Sequence, residues 1–101
     1  MNETLALIGI ARKANKLLYG DKLNKSIKTR SISLVVFTDD ASERSKKHLI
    51  SQCEYYQVTY LIVDSSLALS RAIGKENIKV VGITDEGIAA RILKTKRNEV
   101  G

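Results

Sequence analysis

At 101 residues and 44% hydrophobic, the chain is long enough for one buried core and too short for two, so residues 1–101 read as a single domain. Its net charge of +6 is unevenly spread: Arg12, Lys13, Lys16, Lys22, Lys25, Lys28 and Arg30 face only Glu3 and Asp21, which leaves +5 in the first thirty residues. Such a cation excess marks either a surface that meets a polyanion, nucleic-acid phosphate first among them, or a solvated basic face that confers solubility.

No apolar run approaches the roughly 18–20 residues that span a bilayer, and Met1-Asn2-Glu3-Thr4 has neither a basic leader nor a signal-type apolar stretch, so the expected compartment is cytoplasmic. Leu5, Ile8 and Ala11 form one helical stripe. Leu23 and Ile27 form a shorter one that opens just after Gly20-Asp21, with Asp21 the expected N-cap. Leu34-Val35-Val36-Phe37 is a continuous apolar run ending at Asp39-Asp40, as in a strand buried on both faces. Asp40, with Glu43 three residues on, is placed to cap a helix whose inner face is Ala41, Ser45, Leu49, Cys53 and Tyr56. Tyr60 to Val63 makes a second strand, Leu69, Ala72 and Ile73 a short helix ended by Gly74, and Lys79 to Thr84 a third strand. A last helix after Asp85 turns Ile88, Ile92 and Leu93 inward. Strands alternating with helical stretches argue βαβ units with right-handed crossovers, and the expected fold is α/β, a three-layer α/β/α sandwich around a small mixed sheet.

Enzyme signatures are sparse. Neither a Gly-rich dinucleotide fingerprint nor a Walker-type Gly-Lys-Ser/Thr follows a strand. Asp39 and Asp40 at a strand end could hold magnesium as in a phosphoacceptor domain, but helix capping explains them as well. His48 sits among Arg44, Lys46 and Lys47 with no nucleophile beside it, and the lone Cys53 falls on the apolar stripe. One Cys and one His make neither an intrachain disulfide nor a zinc site.

Several stretches together resemble a known family. Leu7-Ile8-Gly9-Ile10-Ala11-Arg12-Lys13-Ala14, Gly20, Leu34-Val35-Val36 and Thr38-Asp39-Asp40-Ala41-Ser42 look like the bacterial YlxQ-type members of the ribosomal L7Ae/L30e superfamily of kink-turn RNA binders. Gln52 to Tyr60, Leu69 to Glu76 and Val81 to Gly87 continue the pattern, which covers almost the whole chain. The resemblance implies a sharply bent RNA helix gripped by two elements. One is the glycine turn and the start of the following helix, here Gly20, Asp21, Lys22, Lys25 and Lys28; the other is the loop Gly74, Lys75, Glu76, Asn77 and Ile78. Where the family shows Gly-x-Asn-Glu, this chain has Gly20-Asp21-Lys22-Leu23.

Physical chemistry favours the same surface. A-form RNA hides its major groove, so a protein needs a kink or bulge that opens it, and a helix N-terminus after a glycine presents free amides to phosphate. In the second element Lys75 suits a phosphate, Asn77 a base edge or 2′-hydroxyl, and Ile78 an unstacked base, unless the loop is an ordinary connection with Ile78 in the core. Tyr55, Tyr56 and Tyr60 read as packing residues, leaving Tyr19 as the aromatic to test for RNA contact. The expected protein is a non-enzymatic, monomeric, cytoplasmic component of a ribonucleoprotein. Its partner would be structured RNA, a kinked or bulged helix of ribosomal or leader type, with no cofactor, metal, membrane or small-molecule substrate. The alternatives are a protein-interaction module on the same scaffold and the magnesium-dependent phosphoacceptor.

Overall fold

The computed structural model describes the backbone of residues 3–100 and the side chains of residues 3–96. Five helices and four strands follow in the order α1 (Glu3–Lys13), β1 (Leu17–Leu18), α2 (Asp21–Thr29), β2 (Leu34–Thr38), α3 (Glu43–Tyr55), β3 (Tyr60–Val63), α4 (Ser66–Ala72), β4 (Val80–Ile83) and α5 (Glu86–Val100). The sheet runs β1-β4-β2-β3; β2 and β3 are parallel, whereas β4 is antiparallel to both β2 and β1. Only β2-α3-β3 is therefore a βαβ unit of adjacent parallel strands, and the sheet is mixed.

The all-apolar β2 run serves both faces because successive side chains alternate across the sheet. Leu34 and Val36 pack with Val63, Val81 and Ile83 against Ile8 and Ala11 of α1, Leu69 of α4, and Ala89 and Ile92 of α5. Val35 and Phe37 point the other way, to Leu23 and Ile27 of α2 and Cys53 of α3. Phe37 stacks on Tyr60 at 5.8 Å. The three-layer sandwich is thus present, with α1, α4 and α5 on one side and α2 and α3 on the other. Gly82 sets how closely α2 lies: a Cβ there would collide with the side-chain ends of Ile32 and Leu23.

The first four helices stop in the same way, each followed by a left-handed residue: Asn15, Arg30, Gln57 and Gly74, with φ between 57° and 68°. The next amide reaches back to close the last turn, as in Lys16 N to Ala11 O at 2.8 Å and Lys75 N to Ser70 O at 2.9 Å. Glycine takes that conformation without steric cost; the other three rely on these backbone bonds and the packing around them.

One capping expectation is corrected here and another is met. Ser42, not Asp40, caps α3, its side chain accepting from Ser45 N at 3.1 Å. Asp40 instead reaches across to α4, where its Oδ2 accepts from Ser66 N at 3.0 Å and Ser66 Oγ at 2.9 Å. Asp85 does cap, accepting from Ile88 N at 2.9 Å. Tyr55, expected to pack, is 80% exposed and touches the ring of Tyr56 edge-on.

Candidate nucleic-acid interface

Pairing of Leu17 with Ile83 and Leu18 with Gly82 lays β1 antiparallel along β4. The chain leaving β1, Tyr19-Gly20, therefore emerges beside the segment that enters β4. Gly20 has φ 72° and ψ −143°, backbone space that residues with a Cβ avoid, yet a Cβ there would meet nothing within 4 Å. The glycine is thus required by conformation and leaves open space above the turn. Its carbonyl accepts from Leu23 N at 3.1 Å and Asn24 N at 3.3 Å, so Gly20 is the N-cap of α2 and Asp21 the first helical residue, correcting the cap assigned to Asp21. No side chain caps this terminus, so its first-turn amides keep their capacity to bind an anion. The Asp21 carboxylate beside them opposes an incoming phosphate. Lys22, Lys25 and Lys28 are exposed while Leu23 and Ile27 are buried, so one short helix anchors in the core and presents three cations outward.

The second element is folded back by one hydroxyl. Buried Ser70 of α4 accepts from Ile78 N at 2.9 Å and donates to Ile78 O at 3.3 Å, closing residues 74–77 into a protruding loop. Gly74 and Asn77 turn the chain with positive φ. Lys75, Glu76 and Asn77 are exposed, and Ile78 packs half-buried against the α1, α4 and α5 core with part of its side chain at the surface.

The two elements meet. Lys75 Nζ lies 5.7 Å from the centroid of the Tyr19 ring. On one side of Lys75 a depression of about 500 Å³ is lined by Ser66, Leu67, Ser70, Arg71, Glu76 and Asn77. On the other, a groove of about 610 Å³ runs past Tyr19, Asp21 and Lys22 to Arg12, Lys13 and Asn15. Gly20, Asp21, Lys22 and the 74–77 loop thus share one surface, whereas Lys25 and Lys28 lie further along α2, outside both depressions. Arg71 and Leu67 were not among the residues expected at the site; the local clue to Arg71 is its position one turn before the glycine that ends α4.

The carboxylate pair is otherwise engaged. Asp39 Oδ1 pairs with Lys46 Nζ at 3.4 Å, and the same ammonium meets Glu43 at 3.1 Å, which raises the lysine above its usual pKa. The Ser66 amide is the largest cause holding Asp40 down to about 2 from 3.8, followed by the Thr38 hydroxyl and, more weakly, the Ser66 hydroxyl and the charge of Lys79. A depressed carboxylate contributes stability above its ordinary pKa, and that contribution is lost as pH falls toward 2. Asp40→Asn should therefore lower the melting temperature at neutral pH, with the gap from the parent closing between about pH 4 and pH 2. A gap that stays constant over that range would show that the charge of Asp40 is not what ties β2 to α4. His48 is exposed at the rim of a small depression with Ser45, Leu49 and Lys79. Cys53 is buried in the core, which pushes its thiol up to about 11. No helix among the described residues is long and apolar enough to cross a membrane.

Comparison with known proteins places the chain in a family. The chain is 39% identical over 92 residues to the protein named RNA-binding protein YlxQ in Bacillus subtilis, covering 90% of this chain and 92% of the relative. It is 34% identical over 90 residues to the protein of the same name in Enterococcus faecium, covering 88% and 86%. A protein of unknown function from Bacillus halodurans has the same structure at a TM-score of 0.88, with 31% identity and coverage of 94% and 97%. The Giardia lamblia 15.5 kDa RNA binding protein superposes with a TM-score of 0.75 at 24% identity, covering 92% of this chain and 84% of that one, and shares the fold. Residues 2–93 match the profile of one family across both elements of the site, and the chain belongs to it: the ribosomal protein L7Ae/L30e/S12e/Gadd45 family.

Proposed function

We propose that this protein binds structured RNA, holding a kinked or internally bulged helix against the start of α2 and the 74–78 loop. The observation that carries the reading is the meeting of Lys75 with Tyr19, which makes one cationic surface of two elements more than fifty residues apart in sequence. The Bacillus subtilis and Enterococcus faecium relatives named as RNA-binding support the ligand class. An uncapped helix N-terminus, the open space over Gly20 and the exposed Lys22 and Lys75 together suit a phosphate backbone brought close by a bend. A regular duplex would present only its shallow minor groove and evenly spaced phosphates, giving the loop no displaced nucleotide to contact. In this reading Lys22, Lys25, Lys28 and Lys75 neutralise phosphate, Gly20 and Gly74 shape the approaching backbone, and Asp21, Glu76, Asn77 and Ile78 meet the bases or sugars at the bend. The protein acts as a cytoplasmic monomer without cofactor or catalysis.

The test compares an RNA duplex interrupted by an internal bulge with the same duplex fully paired, at about 0.15 M salt. The bulged RNA should bind at least about tenfold more tightly, the discrimination that one or two well-made contacts supply. Equal affinity for the two would reduce the site to a non-specific basic surface. Failure to bind either RNA would favour the protein-interaction module.

A further inference from the structure

We infer that the groove between the end of α1 and the start of α2 is a second nucleotide subsite, which takes a single-stranded nucleotide with its base on Tyr19 and its phosphates on Arg12 and Lys13. This rests on the RNA reading, whose Asp21, Lys22 and Lys75 also line the groove, and extends it to Arg12, Lys13 and Tyr19. The groove, about 610 Å³, has the size of a small-ligand cleft. Its charge is lopsided: Arg12, Lys13, Lys22 and Lys75 face Asp21 alone. Its lining includes Leu17 and Leu18 of β1, the edge strand of the described sheet.

The aromatic is what distinguishes this groove from a plain basic patch. Tyr19 is 40% exposed and lines the groove with the cations, whereas Phe37 is buried in β2, Tyr55 and Tyr56 lie at the end of α3, and Tyr60 opens β3. A ring set beside cations in a concave site is the combination that single-stranded nucleic acid uses, bases stacking while the backbone follows the charge. Lys75 now rests over that ring at 5.7 Å. An exposed contact of this kind is worth only about a two- to fivefold factor, whereas a stacked base is worth about five- to a hundredfold. An incoming base can therefore displace the ammonium, which then meets the nucleotide's own phosphate.

The chain has no tryptophan, so Tyr19→Trp places a single fluorescent reporter in the groove, and Tyr55→Trp places one on the exposed end of α3 as a control. Titration with hexauridylate at 0.05 M salt should quench Tyr19→Trp saturably and leave Tyr55→Trp unchanged. Adding Arg12→Ala and Lys13→Ala should reduce the log-log salt slope of that binding by about 1.4, since each single-strand phosphate contact contributes about 0.7. If Tyr19→Trp does not fold, a hexamer containing 5-bromouridine, photo-crosslinked to the unmodified protein, should give its adduct at Tyr19. Absence of quenching, equal quenching at both reporters, or an adduct outside residues 12–22 would overturn the subsite. Bulged duplex bound without quenching of Tyr19→Trp would remove this groove while leaving the helix-gripping reading intact. Hexauridylate bound here with no discrimination of the bulged duplex would do the reverse.

Discussion

Gly82→Ala should destabilise the protein by about 2–3 kcal/mol, the upper range for forcing a group into a filled core. The cause lies in two side chains. A Cβ on Gly82 would overlap the ends of Ile32 and Leu23, both buried, and Leu23 is one of the two residues that seat α2 on the sheet. Relief requires Ile32 and Leu23 to move, and Leu23 belongs to α2, whose N-terminus is part of the proposed RNA surface. A domain of this size should then melt about 10–20 °C lower. Affinity for the bulged duplex should also fall at temperatures where the variant is still folded. Thermal melting and RNA titration of the same preparation check both. An unchanged melting temperature would mean that Leu23 finds another rotamer at no cost, and that the seat of α2 is not set by Gly82.

Replacing Lys22 and Lys25 together by Ala should have the largest effect on binding without touching the core, because both are exposed on α2. Each phosphate contact on duplex RNA releases close to one counterion, so the double variant should lose about two units of log-log salt slope. Across one decade of salt that is about a hundredfold, with the deficit greatest at low salt and small near 1 M. The melting temperature should hardly move, since surface changes of this kind are usually worth within about 0.5 kcal/mol. A parent-like slope in the variant would remove α2 from the binding surface and leave the 74–78 loop and the groove beside Tyr19.

The helices were legible from apolar spacing, even where only Leu23 and Ile27 carry it in α2, and β2 from the continuous apolar run Leu34-Val35-Val36-Phe37, which the structure buries on both faces. β1 was not legible. Leu17-Leu18 has no alternation to read, and it is a strand only because β4 lies beside it, with Thr84 N donating to Lys16 O at 2.9 Å. Asp40 shows the same limit at a single residue. Asp40 and Ser42 are both acceptable caps just ahead of α3, and local spacing does not rank them. Ser42 takes the role while Asp40 bonds Ser66, twenty-six residues away. Tyr55 and Tyr56 are adjacent on a helix end; the apolar stripe marks Tyr56 alone, and the structure leaves it half-buried and Tyr55 80% exposed.

What the amino-acid sequence determined by itself was local and compositional: the amphipathic segments, the cation excess before residue 31, the glycine at the start of α2 and the glycine at the end of α4. These depend on side-chain periodicity and on backbone preferences within a few residues, so they can be read in one dimension. The tertiary structure alone decided what lies beside what. Antiparallel pairing of β1 with β4 carries the Gly20 turn to the 74–78 loop, sets Lys75 over Tyr19 and opens a groove back to Arg12. Those contacts join residues more than fifty positions apart, and their partners are chosen by how the sheet closes and both cores pack, which no local pattern encodes.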